Sequence, residues 1–193
     1  MLVSDGNLSK DGRHIIFVSK DFDLIKTFMV CLGIKNKIGT KKSGYNKNGK
    51  YYYVQFGNVR LYRWLNSIGI WSNKSKFISD LKILDKYFFD FLRGLIDGDG
   101  CISSFIHPES RHPQIRVRIC SASKPFLLWL KDNINRLLYL EGKIRNIKTV
   151  FELVYYKHSS IVLLKRIYKK VPFCLNRKFE IAKVLLADIA ELA

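Results

Sequence analysis

The 193-residue sequence has few cysteines, few acidic side chains and no long apolar run. No two cysteines lie at Cys-x-x-Cys spacing and no histidine couple lies near them, which argues against a zinc site and predicts reduced, mostly buried thiols. The cysteines are Cys31, Cys101, Cys120 and Cys174. No stretch approaches the roughly 18 apolar residues of a membrane span, and the opening Met1-Leu-Val-Ser-Asp5 lacks the features of a secretory signal. We therefore expect an intracellular, cytoplasmic protein with no membrane partner, although an organelle is not excluded.

Acidic residues are outnumbered by basic ones. The chain has 16 Asp and Glu against 34 Lys and Arg, a formal net charge of +18. This excess goes beyond what solubility requires and predicts a polyanionic partner. Charge alone leaves DNA, RNA and an anionic membrane open, and the membrane is the weakest of the three. Residues 1–83 hold 15 basic and 5 acidic side chains, and residues 84–193 hold 19 and 11, so both halves face the same kind of partner.

An internal repeat organises the chain. Asp5-Gly6 and Asp99-Gly100 are each followed by a polar turn or loop and then by a strand pattern, at 14–20 and 114–120. Each strand precedes an apolar helical pattern, a hairpin and a closing helical region. The predicted helices are 21–33, 59–68, 76–83, 85–98, 123–140, 160–169 and 177–192, and the predicted hairpins pair 37–40 with 51–56 and 142–147 with 150–156. The basic segments 71–77 and 173–179 occupy matching places.

Two such halves can bury their apolar faces only against each other. We therefore predict an α+β fold of two pseudo-symmetric αββαββα-type repeats, residues 1–83 and 84–193, within one monomer. Their antiparallel strands form a saddle, and the helix that begins near Asp85 forms the seam between the repeats.

The seam helix ends in Leu92-Arg93-Gly94-Leu95-Ile96-Asp97-Gly98-Asp99-Gly100. Gly94 and Gly98 share a helix face, where a missing Cβ lets another helix backbone come close. Such packing offsets the cost of about 1 kcal/mol that glycine carries in a helix relative to alanine. Because a helix C-terminus already carries partial negative charge, Asp97 and Asp99 there indicate a cation site. An Asp-Gly pair that merely ends a helix is the simpler alternative.

This segment resembles the LAGLIDADG motif of homing endonucleases at seven of nine positions, with Arg93 and Gly98 replacing the two alanines. Residues 2–6 align with residues 96–100 as the end of a first copy, so the resemblance covers essentially the whole chain. It implies the two-repeat, single-chain type: a metal-dependent DNA endonuclease of intron homing that hydrolyses both strands of a long asymmetric duplex and leaves short 3′ overhangs.

The resemblance also implies roles for individual residues. It assigns the metal-binding catalytic carboxylates to Asp5 and Asp99, and it gives Asp97 a packing role. Oxygen ligands favour Mg²⁺, with Mn²⁺ or Ca²⁺ as substitutes in crystals. Lys20 and Lys124 follow the first long strand of their repeats at corresponding positions. We regard them as candidates for polarising water or stabilising the transition state, with solvated lysines near helix starts as the alternative.

Alternation within the strands indicates DNA-binding residues. Arg116 and Arg118 share one face of their strand, with apolar residues on the other. A two-stranded ribbon fits the major groove, where Arg and Lys favour guanine and Gln favours adenine. The remaining strand candidates are Lys50, Tyr52, Gln55, Lys143, Arg145 and Lys148. For Tyr51, Tyr52 and Tyr53, packing within the strand is the favoured alternative to DNA contact. The candidate phosphate contacts in loops are Lys41, Lys42, Lys47 and Arg111.

The first copy of the motif departs from the family pattern, because only about one helical turn precedes Asp5 whereas about four precede Asp99. One of the two seam helices is then mostly missing. We expect either that the native start lies upstream of Met1, which we slightly favour, or that the protein is a decayed relative with a poorly anchored first carboxylate. Two alternative functions share the basic saddle: an intron RNA maturase and a catalytically inactive DNA-binding protein.

Overall fold

A computed structural model describes residues 1–42, 50–106, 113–169 and 173–190. The first half contains, in chain order, α1 (Leu2–Asp5), β1 (Gly6–Leu8), β2 (His14–Ser19), α2 (Phe22–Leu32), β3 (Ile38–Lys42), β4 (Lys50–Gly57), α3 (Val59–Ser67) and a 3-10 turn (Lys74–Lys76). The second half contains α4 (Asp85–Asp99), β5 (Gly100–Ile106), β6 (Pro113–Ser121), α5 (Lys124–Leu138), β7 (Lys143–Ile147), β8 (Val150–Tyr156), α6 (Lys157–Ile167) and α7 (Asn176–Ala190). The predicted α+β fold with its αββαββα repeats is confirmed.

Within the described residues the two halves form antiparallel sheets of the same topology. The strand orders are β1-β2-β4-β3 in the first sheet and β5-β6-β8-β7 in the second. Gly6 pairs with Phe17 as Gly100 pairs with Ile119. The register of the two sheets therefore gives a residue-by-residue correspondence between the repeats.

Three details differ from the sequence prediction. Strands β1 and β5 occupy part of what was taken as turn or loop. The helix predicted at 76–83 is wrong: after the 3-10 turn the chain stays irregular up to Asp85. Its backbone bonds instead to other elements, because the Lys82 amide donates to the Ile68 carbonyl at 3.0 Å and the Ile78 carbonyl accepts from Ser123 Oγ. Lys47, Arg111 and residues 191–192 lie outside the described residues.

One face of each sheet is covered by helices, and the other we call the open face. In β2 the side chains of Ile15 and Phe17 are buried while those between them are partly exposed, and Phe17 stacks on Phe28 of α2 at 4.3 Å between ring centroids. Helices α2 and α3 cover the first sheet, and α5 and α6 cover the second. Apolar residues of both halves join one continuous core.

Helices α1 and α4 pack at the seam between the halves. A Cβ added to Gly94 would lie 3.0 Å from the Met1 backbone nitrogen, and one added to Gly98 would lie 2.7 Å from the Ser4 Cβ. Because α1 has four residues and α4 has fifteen, part of α4 has no helical counterpart there. A cavity of about 590 Å³ lies beside it, lined by apolar side chains that include Val3, Trp64, Leu65, Tyr87 and Phe91.

We expect Gly98→Ala to destabilise the fold by about 2 kcal/mol, because a methyl group there overlaps Ser4 at a packed interface. Gly94→Ala is expected to be nearly neutral, since its contacts are looser and alanine favours the helix. Urea unfolding measures both changes. Adding Ser4→Gly to Gly98→Ala should restore most of the loss, and a double variant no more stable than Gly98→Ala would show that the overlap is not the cause.

Two further sequence predictions concern membrane spans and cysteines. Within the described residues, no helix is both long and apolar enough to cross a membrane. All four cysteines are free, as expected. The expectation that they are mostly buried is wrong, because Cys31, Cys101 and Cys120 are exposed.

Candidate metal centre and nucleic-acid interface

The two predicted carboxylates lie at neighbouring helix ends. Asp5 is the last residue of α1 and Asp99 is the last residue of α4, and each is followed directly by the first strand of its sheet. A Cβ on Gly98 would lie 3.0 Å from Asp5 Oδ2, so the Asp5 carboxylate lies against the residue that precedes Asp99. The close helix packing thus brings together two acidic groups that are far apart in the chain.

The electrostatics of this pair are unfavourable for two anions. Removal from water, followed by repulsion from Asp99, raises the pKa of Asp5 to about 6. Removal from water also raises the pKa of Asp99. The nearest positive groups, which lower both values, are Lys74, Lys178 and the amine of Met1. The raised pKa values show that these cations do not fully offset the cost of removing the two carboxylates from water.

Two buried lysines fix the helix ends that carry the carboxylates. Lys178 Nζ donates to the carbonyls of Ile96 and Gly100 at 2.6 Å each, and it also reaches those of Asp97 at 2.8 Å and Gly98 at 3.2 Å. Lys74 Nζ donates to the carbonyl of Gly6, which corresponds to Gly100. Each lysine therefore donates to backbone carbonyls where a motif helix passes into the first strand of its sheet.

Sequence reasoning missed both lysines. The paired segments 71–77 and 173–179 contained them, but aligning those segments end to end matches Lys178 with Lys76 instead of Lys74. The useful signal was the presence of a lysine in the same basic segment of each repeat. Identifying the right one requires tertiary contacts across 68 residues for Lys74 and 78 or more for Lys178.

Asp97 has a packing role and does not join the pair. Its side chain is 1% exposed and accepts hydrogen bonds from Tyr168 Oη at 2.7 Å and from the Leu175 amide at 3.0 Å. These bonds hold the segment that leads into α7 against the end of α4. Burial raises the pKa of Asp97, and the two hydrogen bonds oppose that rise.

The open face of the second sheet carries four basic side chains. Arg116 and Arg118 of β6 point away from the buried Ile115, Val117 and Ile119. Lys143 and Arg145 of β7 are exposed, and they share this face because they pair with Val154 and Glu152, on the same rows as Arg118 and Cys120. Most of the second-half strand candidates therefore lie on one surface.

The open face of the first sheet is different. Gln55 is exposed there, opposite Ile16. The prediction that Tyr52 shares this face is wrong. Tyr52 and Gln55 are three positions apart on the strand, so their side chains point to opposite faces of the sheet. The Tyr52 ring lies on the covered side, 4.9 Å from the ring of Phe22. Lys50 begins the same strand and its ammonium lies over the Tyr52 ring, on the covered side as well.

Comparison with known proteins rests on structure. Neither a family model nor a curated protein matches the sequence. The homing endonuclease I-WcaI bound to its DNA recognition sequence matches with a TM-score of 0.63 and 13% identity, over 96% of this chain and 81% of that one. The LAGLIDADG meganuclease I-AabMI bound to uncleaved DNA matches at 0.61 and 11% identity, over 97% and 89%. This chain has the LAGLIDADG fold.

The same LAGLIDADG fold occurs in a larger protein. Full-length DUF199/WhiA from Thermatoga maritima matches with a TM-score of 0.60 and 17% identity over 97% of this chain. The chain spans 57% of the length of that protein.

The strand register shows that Lys20 and Lys124 do not occupy equivalent positions in the two repeats. Counting from the paired positions Phe17 and Ile119, Lys20 matches Ala122, and Lys124 matches Phe22. Lys20 lies over the ring of Tyr51 at 5.2 Å. Lys124 is the first residue of α5 and lies 6.0 Å from the ring of Phe151. The expectation of equivalent positions is therefore wrong.

Three more of the predicted basic residues lie at the rims of the sheets: Lys41 and Lys42 were expected in a loop but end β3, and Lys148 was expected on a strand face but lies in a turn. Lys41 and Lys42 are exposed at the end of β3, with Lys41 on the open face opposite Tyr51. Lys148 is exposed in the turn between β7 and β8. These places suit contacts with a backbone that runs past the edges of the sheets.

The raised pKa of Asp5 predicts a pH-dependent stability in the absence of metal. Between pH 4 and pH 6 the folded chain keeps a proton on Asp5 that the unfolded chain has lost, so stability falls as pH rises through this window. The Asp5 contribution is about 2 kcal/mol, after allowance for partial exposure. Urea unfolding in EDTA at pH 4 and pH 6.5 should show a smaller fall for Asp5→Asn than for the original chain. Asp90→Asn, at an exposed position, is the control. Equal falls in all three proteins would contradict the prediction.

Proposed function

We propose that the chain is a site-specific endonuclease that uses a divalent metal to hydrolyse both strands of double-stranded DNA. The observation that carries the proposal is the meeting of Asp5 and Asp99 at two neighbouring helix ends, each next to the first strand of a sheet with an open face. Similar folds in I-WcaI and I-AabMI, which are complexed with DNA, support the choice of substrate.

The residues present suit a divalent cation. Burial raises the pKa of both carboxyl groups, and a cation bound between them would stabilise their charged forms. Within the described residues no third His, Cys, Asp or Glu joins a metal-binding group. Asp5 and Asp99 would thus hold the ion through oxygen ligands and leave room for water and phosphate, which suits Mg²⁺, or Mn²⁺ or Ca²⁺ in its place.

When bound, such an ion activates water and stabilises negative charge on the phosphate. The protein's part is to hold the two carboxylates in place. Lys178 and Lys74 contribute to this, because the ammonium group of each donates to backbone carbonyls at the end of one motif helix. Asp5 adjoins the first sheet and Asp99 the second, so each carboxylate serves one DNA strand. Lys20 and Lys124 remain candidates for polarising water or stabilising the transition state.

DNA reading follows from the division of the chain into repeats. We propose that residues 1–83 bind one half of an asymmetric target and residues 84–193 the other, in a monomer. The open faces lie in the major groove, where Arg116, Arg118, Lys143, Arg145 and Gln55 reach base edges. The rim residues Lys41, Lys42, Lys50 and Lys148 bind the backbone, which adds affinity without specificity.

A randomised plasmid library tests this function. We expect the chain to linearise a small subset of plasmids in Mg²⁺ and none in EDTA, with the cut sites sharing one long sequence. Mixed nicking with no common sequence would contradict site specificity.

A DNA-binding protein without cleavage is the second candidate. The observation that favours it is the similarity to DUF199/WhiA, which is described by its LAGLIDADG domain and not as an endonuclease. Sequence-specific binding without linear product in Mg²⁺ or Mn²⁺ would select this candidate. Binding to intron RNA in preference to any duplex would instead select the maturase.

A further inference from the structure

We infer that the two halves of the target differ in base type: the second sheet reads a half rich in G·C pairs, and the first sheet reads a half rich in A·T pairs. This inference rests on the proposed function, because it takes both open faces to lie on DNA. It goes further by assigning a base chemistry to each half from the residues that stand at equivalent positions.

The register makes the two sheets directly comparable. Phe17 pairs with Gly6 and Val54, and Ile119 pairs with Gly100 and Leu153. Phe17 and Ile119 are therefore equivalent positions. The residues that precede them, Ile16 in β2 and Arg118 in β6, are equivalent as well. Through β4 and β8 the same correspondence places Gly39 at the position of Arg145.

These equivalent positions have opposite chemistry. Arg118 and Arg145 present guanidinium groups, whereas Ile16 presents a methyl-rich side chain and Gly39 presents none. Arg favours guanine through its O6 and N7 atoms, whereas apolar groups favour the methyl group of thymine. The two sheets therefore differ in base preference at these two pairs of equivalent positions.

The arginines of the second sheet are held in fixed orientations. The Arg116 guanidinium lies 4.3 Å from the ring centroid of Phe105 and 5.3 Å from that of Tyr156. Arg118 lies 3.6 Å from the carboxylate of Glu152, which is 5% exposed. A planar guanidinium fixed in this way loses less freedom when it forms a bidentate contact. The Nε atoms of Arg116 and Arg118 are buried and have no hydrogen-bond partner among the described residues.

The first sheet lacks basic groups at its centre. Its middle row consists of Asn7, Ile16 and Gln55, paired across β1, β2 and β4. The neighbouring row contains Val18 and Tyr53. Amides favour adenine through its N6 and N7 atoms, so this row combines adenine-binding and thymine-binding groups. Its one basic open-face residue among the described strands, Lys41, lies at the rim.

Selection from a random duplex library tests the inference. The full chain in EDTA binds duplexes without cutting them, and the bound DNA is sequenced over several rounds. We expect a long motif with G·C pairs concentrated in one half and A·T pairs in the other. The variant Arg118→Ile should lose the G·C preference at one or two positions of that half, and Ile16→Arg should gain one in the other half. For Arg118→Ile, the ratio of affinities for the selected site and for random DNA should fall about 10-fold to 100-fold.

Lys165→Ala is the matched control, because it removes an exposed positive charge from α6, which covers the other face of the same sheet. It should leave the selected motif unchanged. Circular dichroism and urea unfolding check that each variant is folded, and Ile16→Arg and Arg118→Ile test the same point independently.

The possible results distinguish failure of this inference from failure of the proposed function. An enriched motif with the same base types in both halves, or one that both substitutions leave intact, overturns the inference and leaves the proposed function standing. Failure of the original chain to enrich any duplex overturns the proposed function, and the inference with it.

Discussion

Replacing Asp99 with asparagine is expected to abolish double-strand cleavage while DNA binding survives. The substitution removes one of the two carboxylates that hold the metal, and with it a stabilisation of several kcal/mol on the reacting phosphate. Linearisation of the selected plasmid in Mg²⁺ should slow on the order of 1000-fold. Binding should be equal or slightly tighter, because a negative charge next to the DNA backbone is lost.

Asp90→Asn provides the control for this loss. Asp90 lies on the same helix, its side chain is 65% exposed, and it pairs with Arg93 at 2.7 Å, away from the carboxylate pair. Its cleavage rate should match that of the original chain. If Asp99→Asn cuts as fast as Asp90→Asn, the metal centre lies elsewhere and the proposed chemistry fails.

Replacing Lys178 with methionine is expected to cause the largest loss of stability among single substitutions at this site. Lys178 is 5% exposed, and its ammonium group contacts four backbone carbonyls around the end of α4. Methionine fills a similar volume but removes all four contacts with the carbonyl groups. Each buried hydrogen bond to a charged group contributes about 1.5 to 3 kcal/mol, and removal of a buried charge offsets part of the sum. We expect a net loss of about 3 kcal/mol in the free energy of unfolding.

Lys74→Met and Lys183→Met are the comparison variants for this predicted loss of stability. Lys74 contacts only the Gly6 carbonyl, so its replacement should cost about 1 kcal/mol. Lys183 lies on the same helix as Lys178, with its side chain 66% exposed, and its replacement should change stability by less than about 0.5 kcal/mol. Equal effects at Lys178 and Lys183 would show that the carbonyl contacts do not stabilise the fold.

The sequence was sufficient for the architecture of the repeats. Alternation in 114–120 and the helical period in 123–140 are local patterns, and both elements form where they were predicted. The segment 92–100 also placed the end of the seam helix to within one residue, at Gly98 where the helix ends at Asp99. Such features follow from residues within about ten positions of one another, which is the range over which a sequence pattern can be read directly.

Other features depended on contacts between distant residues. The 76–83 segment has an apolar pattern typical of a helix. Its Lys82 amide instead donates to the carbonyl of Ile68, the residue after α3, and its Ile78 carbonyl accepts from Ser123. Tyr52 was assigned to the wrong face because a run of three tyrosines hides the alternation in β4. Lys20 and Lys124 looked equivalent until the strand register fixed the count.

The sequence by itself determined the two repeats, their order of elements and the position of the acidic motif in each. Only the tertiary structure decided that Lys178 and Lys74 cap the motif helices and that the two open faces differ in chemistry at equivalent positions. The physical reason is range: helix and strand patterns arise between near neighbours, whereas the capping of a helix end and the facing of a side chain depend on which distant segments pack against it.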